Sequence, residues 1–313
     1  MNLNNHITDS EWQVMRVLWD KTTCSAAEMI KTLEDITHWS PTTIKTFLSR
    51  LAAKNLVGFE KQGKKFIYFP KLSERECVIS EMKAILNRVY GGKLNLESGH
   101  FQFFGMNNDS LLRRLDNHLE KSFVRISKDY DYHPNEKQIV YLYPNQNRLH
   151  SALGLQSGPQ WIRAGWEWDI LHICPEADFT DITIESAIEH VWIQRVIHDI
   201  NPSVPYWLLQ GIATYESNWL SSQRFDEAMA RVCKTIAPTT IIDLAKQYDL
   251  FRYQDGYELT YTVVKFIITE FGMKSLNQYL RSPQNFNAIF LIDELMFWKK
   301  WVIFVQTHYT KAN

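Results

Sequence analysis

Along residues 8–70 the apolar positions keep a helical period three times and then switch to alternation. Trp12, Met15, Leu18 and Trp19 recur at helical spacing behind Thr8 and Glu11, whose Thr-x-x-Glu pattern predicts a capping box. "CSAAEMIKTLEDI" predicts a second helix. "SPTTIKTFLSRLAAKN" predicts a third, with Ser40 as N-cap and Pro41 in its first turn. In that helix Ile44, Phe47, Leu48 and Leu51 form an apolar stripe, while Ser40, Thr42, Thr43, Lys45, Thr46 and Arg50 are polar. "LVGFEKQGKKFIYFP" then reads as two strands around a Gln62-Gly63 turn.

Further on, "FQFFG" reads as a short strand, and residues 110–130 as a long amphipathic helix with Leu111, Leu115, Leu119 and Phe123 on one face. "KQIVYLYP" alternates like a strand, and "WIRAGWEWDILHICP" predicts two strands with a turn near Glu167 to Asp169. Helices follow over 183–199, 205–218, 223–236, 257–271, 273–281 and 292–308. A small sheet followed by helices predicts an α+β class.

Formal net charge over the 313 residues is only −1, yet it is unevenly spread. Residues 1–94 carry 14 Lys and Arg against 10 Asp and Glu, and the remainder carries 20 against 25. Between Ser40 and Lys71 lie seven basic residues, including Lys45, Arg50, Lys61, Lys64 and Lys65, against the single acid Glu60. Three helices and a basic hairpin describe a winged helix-turn-helix. Its third helix offers a Thr/Lys/Arg face to a DNA major groove, and its hairpin lysines suit phosphates. The four cysteines form no CxxC, which fits a reducing cytosol. No signal peptide pattern and no membrane-length apolar run is present, so a cytoplasmic protein without membrane attachment is expected. No cofactor is expected.

The segments "ITDSEWQVMRVLWD", "WSPTTIKTFLSRLAAKNLVGFEKQGKKFIYFP" and "LSERECVISEMKAILNRVYGG" closely resemble the BlaI/MecI/CopY family of bacterial repressors, from about Ile7 to Gly92. The resemblance implies operator DNA as partner and a homodimer. The stripe Val78, Met82, Ile85, Leu86 and Val89 would pair the two chains. The chain lacks the cysteine-rich terminus of the copper-responsive members. It also continues for some 220 residues beyond the dimerisation helices at which the antibiotic-responsive members end.

The later part resembles the gluzincin, or peptidase MA-like, metallopeptidases, most densely in "PYWLLQGIATYES". There a helix carries HExxH, whose histidines hold zinc and whose glutamate is the general base; the next helix adds a carboxylate ligand. Aligned on that pattern, His190 keeps the first ligand position. Val191 stands at the base, Gln194 at the second histidine and Gln210 at the carboxylate. No shift of register restores HExxH. His172 and His198 could join His190 only in an unrelated metal site.

The expected organisation is a DNA-binding domain over 1–72, a linker and dimerisation helix over 73–96, and a zincin-like sensor domain over 97–313 that binds no metal. The expected function is a repressor whose catalytically inactive peptidase-like domain senses a peptide or small-molecule effector. Trp161, Trp166, Trp168, Trp192 and Trp207 lie on segments expected to line its cleft. The alternative is an active or self-cleaving zinc metallopeptidase with a regulatory DNA-binding module.

Overall fold

The computed structural model describes residues 7–34, 36–37, 39–63, 65–74, 76–78, 80–81, 84, 94–155, 158–167, 169–241 and 255–309. The chain is a mixed α+β protein that divides into two units, Met1–Lys93 and Leu94–Asn313, each with its own buried core.

In the first unit, α1 (Asp9–Lys21), α2 (Ala26–Glu34) and α3 (Pro41–Ala53) bury Val14, Met15, Leu18, Met29, Leu33, Ile44, Leu48 and Leu51 against one another. The capping box forms as the sequence predicts: Thr8 N–H donates to Glu11 Oε2 at 2.9 Å, and Glu11 N–H donates back to Thr8 Oγ1. The sheet is antiparallel in the order β1 (Cys24–Ser25), β3 (Lys65–Pro70), β2 (Val57–Gln62). β1 was not predicted, because two residues carry no period. Gly63, at φ 62°, takes the left-handed backbone needed to turn the hairpin. Of the dimerisation stripe, Val78 is described; Met82, Ile85, Leu86 and Val89 lie outside the described residues.

In the second unit a five-stranded sheet runs β4 (Leu94–Glu97), β5 (Phe101–Gly105), β6 (Gln138–Leu142), β8 (Ile170–Ile173), β7 (Ala164–Glu167). The β5–β6 and β6–β8 pairs are parallel and the two outer pairs antiparallel. The connection between β5 and β6 contains α4 (Asp109–Tyr130), and a short helix, α5 (Gln146–Ala152), follows β6. Phe101, Phe103, Val140, Leu142, Leu171 and Ile173 share one core with Leu115, Leu119 and Ile126 of α4. That core also takes in α6 (Ile184–Ile200) and α7 (Tyr206–Glu216). α6 is buried on almost every side, so its sequence shows no amphipathic stripe.

Among the described residues α8 (Ser222–Val232), α9 (Gly256–Arg281), α10 (Phe286–Phe290) and α11 (Glu294–Tyr309) follow. The break predicted between residues 271 and 273 is present as Gly272, at φ 82°, inside α9. α7 and α9 approach closely at Gly211, where a Cβ would lie 2.8 Å from the Thr260 carbonyl oxygen. Among the described residues no helix is long and apolar enough to cross a membrane.

Candidate nucleic-acid interface and the histidine–glutamine helix pair

Ser40 Oγ caps α3 by accepting the Thr43 N–H at 3.2 Å, and the two hydroxyls of Ser40 and Thr43 lie 2.8 Å apart. Thr46 Oγ1 donates to the Thr42 carbonyl at 2.9 Å. Ser40, Thr43 and Thr46 therefore spend hydroxyl capacity on the helix itself. Thr42, Lys45 and Arg50 remain exposed, and among the described residues the side chains of Lys45 and Arg50 make no hydrogen bond or ion pair. Ser49, absent from the sequence reading, is exposed between Lys45 and Arg50 on the same helix. Its position one turn beyond Lys45 and Thr46 was the available signal.

The other basic residues divide sharply. Lys61 and Lys65 are exposed on the hairpin strands; Lys64 lies outside the described residues. Lys71 Nζ donates to Asn55 Oδ1 at 2.6 Å. Lys54 Nζ donates to Glu11 Oε2 at 2.6 Å and ties the end of α3 to the start of α1. Burial alone would raise the Glu11 carboxyl, but Lys54 and the Thr8 donors outweigh it and hold it below the usual carboxylate range.

In the second unit α6 and α7 bring His190, Gln194 and Gln210 together. Gln194 Nε2 donates to His190 Nε2 at 3.0 Å and to Gln210 Oε1 at 2.8 Å. Since an amide nitrogen only donates, His190 Nε2 accepts and its proton sits on Nδ1. Nδ1–H then donates to Ser217 Oγ at 3.3 Å, and the Ser217 hydroxyl in turn donates to the Ala213 carbonyl at 2.6 Å. Burial pushes the His190 imidazole down to about 4. Val191 is buried and supplies no polar group.

His172 and His198 do not join this cluster's hydrogen bonds. Tyr143 OH donates to His172 Nδ1 at 2.9 Å, and His172 Nε2–H faces the Glu167 carbonyl at 3.3 Å. Burial takes His172 down to about 4 as well. His198 packs on Trp166, with ring centroids 5.0 Å apart. Trp192 and Trp207 are core residues rather than cleft walls; Trp192 packs against Phe101 and Phe123. Trp168 lies outside the described residues. Among the described residues no three His, Cys, Asp or Glu side chains are grouped to hold a metal ion.

The two buried imidazoles predict acid sensitivity of the second unit. A histidine whose folded value is depressed contributes stability that is complete above its unfolded value, 6.5, and is lost as pH falls from there toward about 4. The loss should reach roughly 3 kcal/mol per histidine at the low end. Urea unfolding at pH 7, 5.5 and 4.5 should show a shallower decline for His190→Gln than for the parent; identical slopes would refute it.

A second polar group on the same helices was not read from the sequence. Arg125 of α4 bridges Glu189 of α6 and Glu216 of α7: Nη2 donates to Glu189 Oε1 and to the Glu216 carbonyl, each at 2.9 Å, and Nη1 donates to Glu216 Oε2. His118 Nε2 lies 2.7 Å from Glu189 Oε2, Ser122 donates to Glu189 Oε1, and Tyr130 OH donates to Glu216 Oε1 at 2.9 Å. The signal available was the spacing of His118, Ser122 and Arg125 along one face of α4.

The penicillinase repressor family profile matches residues 7–102. Over 89 residues the chain is 38% identical to a penicillinase repressor of Bacillus licheniformis, covering 28% of this chain and 70% of that protein. Over 94 residues it is 33% identical to the methicillin resistance regulatory protein MecI of Staphylococcus aureus (strain N315), covering 30% of this chain and 76% of that protein. The solution structure of the DNA-binding domain of the repressor BlaI is 38% identical, covers 24% of this chain and 90% of its own, and has a TM-score of 0.22.

Proposed function

Because the chain belongs to the penicillinase repressor family through residues 7–102, we propose that it is a DNA-binding transcriptional repressor that presents α3 to the major groove of operator DNA. The observation that carries this reading is the exposed face of a capped helix on which the Lys45 and Arg50 side chains have no partner among the described residues. Thr42 and Ser49 flank them, Ser40 and Thr43 set the helix start, and Lys61, Lys64 and Lys65 meet phosphate from the hairpin. The direct test is fluorescence anisotropy with a fragment of the protein's own promoter against a scrambled duplex. Selective binding is expected, with log affinity falling linearly with log salt. Replacing Lys61 and Lys65 by alanine should reduce that slope by roughly one per lost phosphate contact. Equal affinity for both duplexes would overturn the proposal.

The repressor acts as a homodimer. Val78, Met82, Ile85, Leu86 and Val89 recur at helical spacing, more apolar surface than a small winged helix needs for itself. Two-fold pairing implies a near-palindromic operator. Light scattering at micromolar concentration should give twice the 36.9 kDa chain mass; a monomer with and without DNA would count against it.

The second unit is a zincin-like domain without peptidase chemistry, retained to sense an effector. His190, Gln194 and Gln210 support this reading, for they occupy the three ligand positions of the gluzincin pattern and touch one another in space. The groups present do not fit a catalytic zinc. Two neutral amides replace charged or imidazole donors, and the His190 Nε2 lone pair is taken by Gln194. Val191 cannot accept a proton, so no general base stands where the pattern has one.

A further inference from the structure

Around the Arg125 bridge lies an open cavity of about 600 Å³, on whose wall Glu189 and Glu216 meet His118, Lys121 and Arg125 of α4. His190, Gln194 and Gln210 do not line it. We propose that this cavity, and not the space between His190 and Gln210, binds the effector, and that the effector is a small zwitterion bearing both an ammonium and a carboxylate. The proposal rests on the sensing role given to this unit above.

Three features specify that chemistry. First, Glu189 and Glu216 are only 4% and 5% exposed at their side chains, yet among the described residues Arg125 is the one permanent cation that bridges them. Buried carboxylates demand compensation. Two carboxylates offer about eight acceptor sites. Among the described residues the donors on them are Ser122, His118, Tyr130 and two Arg125 nitrogens, so acceptor capacity remains for an incoming ammonium. Second, Lys121 is exposed on the same wall, one turn before Arg125, and has no partner among the described residues. It is placed to receive a carboxylate. Third, Tyr215 and Tyr261, with ring centroids 5.5 Å apart, give the cavity an apolar side for the ligand's carbon skeleton. A ligand with only a positive charge would meet Arg125 and Lys121. One with only a negative charge would meet the two carboxylates.

The test is isothermal calorimetry of the full chain with the common L-amino acids taken singly, and with 6-aminohexanoate, whose charged groups stand further apart. At least one should bind, and the α- and ω-amino acid arms report the separation the site accepts. The amine-only and acid-only analogues of the ligand that binds should each bind at least about 10-fold more weakly, since about 1.4 kcal/mol rests on each charged end. Lys121→Met, an exposed substitution, should erase the preference over the amine-only analogue while leaving the melting temperature unchanged. Failure of every amino acid to bind, or an analogue binding as tightly as its parent, would overturn the proposal. Promoter anisotropy with the ligand present separates the two ideas: binding without any change in DNA affinity would refute the sensing role and leave the site standing.

Discussion

Replacing Lys45 and Arg50 together by alanine is expected to bring operator affinity down to that of unrelated DNA. Both side chains are exposed on α3 and neither has a partner among the described residues, so their removal leaves the core of Ile44, Leu48 and Leu51 untouched. A well-formed contact to a base edge is worth about 1–3 kcal/mol, and specific binding exceeds non-specific binding by about 4–10 kcal/mol. Two such contacts therefore account for much of the difference at its lower end. Anisotropy at fixed salt measures the loss, and circular dichroism confirms that the fold is kept. Lys54→Ala is the informative contrast. Its ammonium holds Glu11, which is 1% exposed, so that variant should lose stability. A double variant that still discriminated the operator from a scrambled duplex would remove α3 from the interface.

The second large effect concerns metal. Gln194→His with Gln210→Glu should give a chain that takes up one zinc ion, whereas the parent takes up none. Tetrahedral zinc with bonds of about 2 Å places its ligand atoms about 3.3 Å apart. His190 Nε2 to Gln194 and Gln194 to Gln210 already measure 3.0 and 2.8 Å. The substitutions exchange the amide donors for an imidazole and a carboxylate, and free His190 Nε2 from the Gln194 N–H. Sub-micromolar affinity, about 8 kcal/mol or better, is the expected scale. Adding His190→Ala should abolish uptake. Peptidase activity should stay absent, because Val191 is no base. If the double variant bound no zinc, the zincin-like reading of the helix pair would fail. Zinc in the parent, lost together with peptide cleavage on His190→Ala, would establish the enzymatic alternative.

Much of the first unit was legible from its sequence because its elements advertise themselves locally. Thr8 and Glu11 are three residues apart, Ser40 immediately precedes Pro41, and the α3 stripe keeps its period over a full element. The break at Gly272 was legible for the same reason. β1, β4 and α5 were not, since two to seven residues give periodicity too little length to register. On α4 the predicted face of Leu111 and Phe123 sits at the margin, and Leu112, Ser122 and Ile126 are buried beside Leu115 and Leu119. The rest of the second unit's site was hidden by distance along the chain. Arg125 reaches partners 64 and 91 residues away, and nothing local marks a charge that will be bridged so far off. α6 hid its faces because it is buried nearly all round, with Glu189, His190 and Arg195 buried among its apolar residues.

The hydrogen-bond chain that begins at Gln194 and ends on the Ala213 carbonyl makes His190 a built-in spectroscopic reporter. Its proton is confined to Nδ1 by a donor on the other ring nitrogen, and the ring is 3% exposed. At neutral pH that single imidazole N–H should give a sharp downfield resonance, which exchanges with solvent only when α6 and α7 part. Its decay in deuterated buffer would time the opening of this helix pair without any ligand, metal or DNA in the tube.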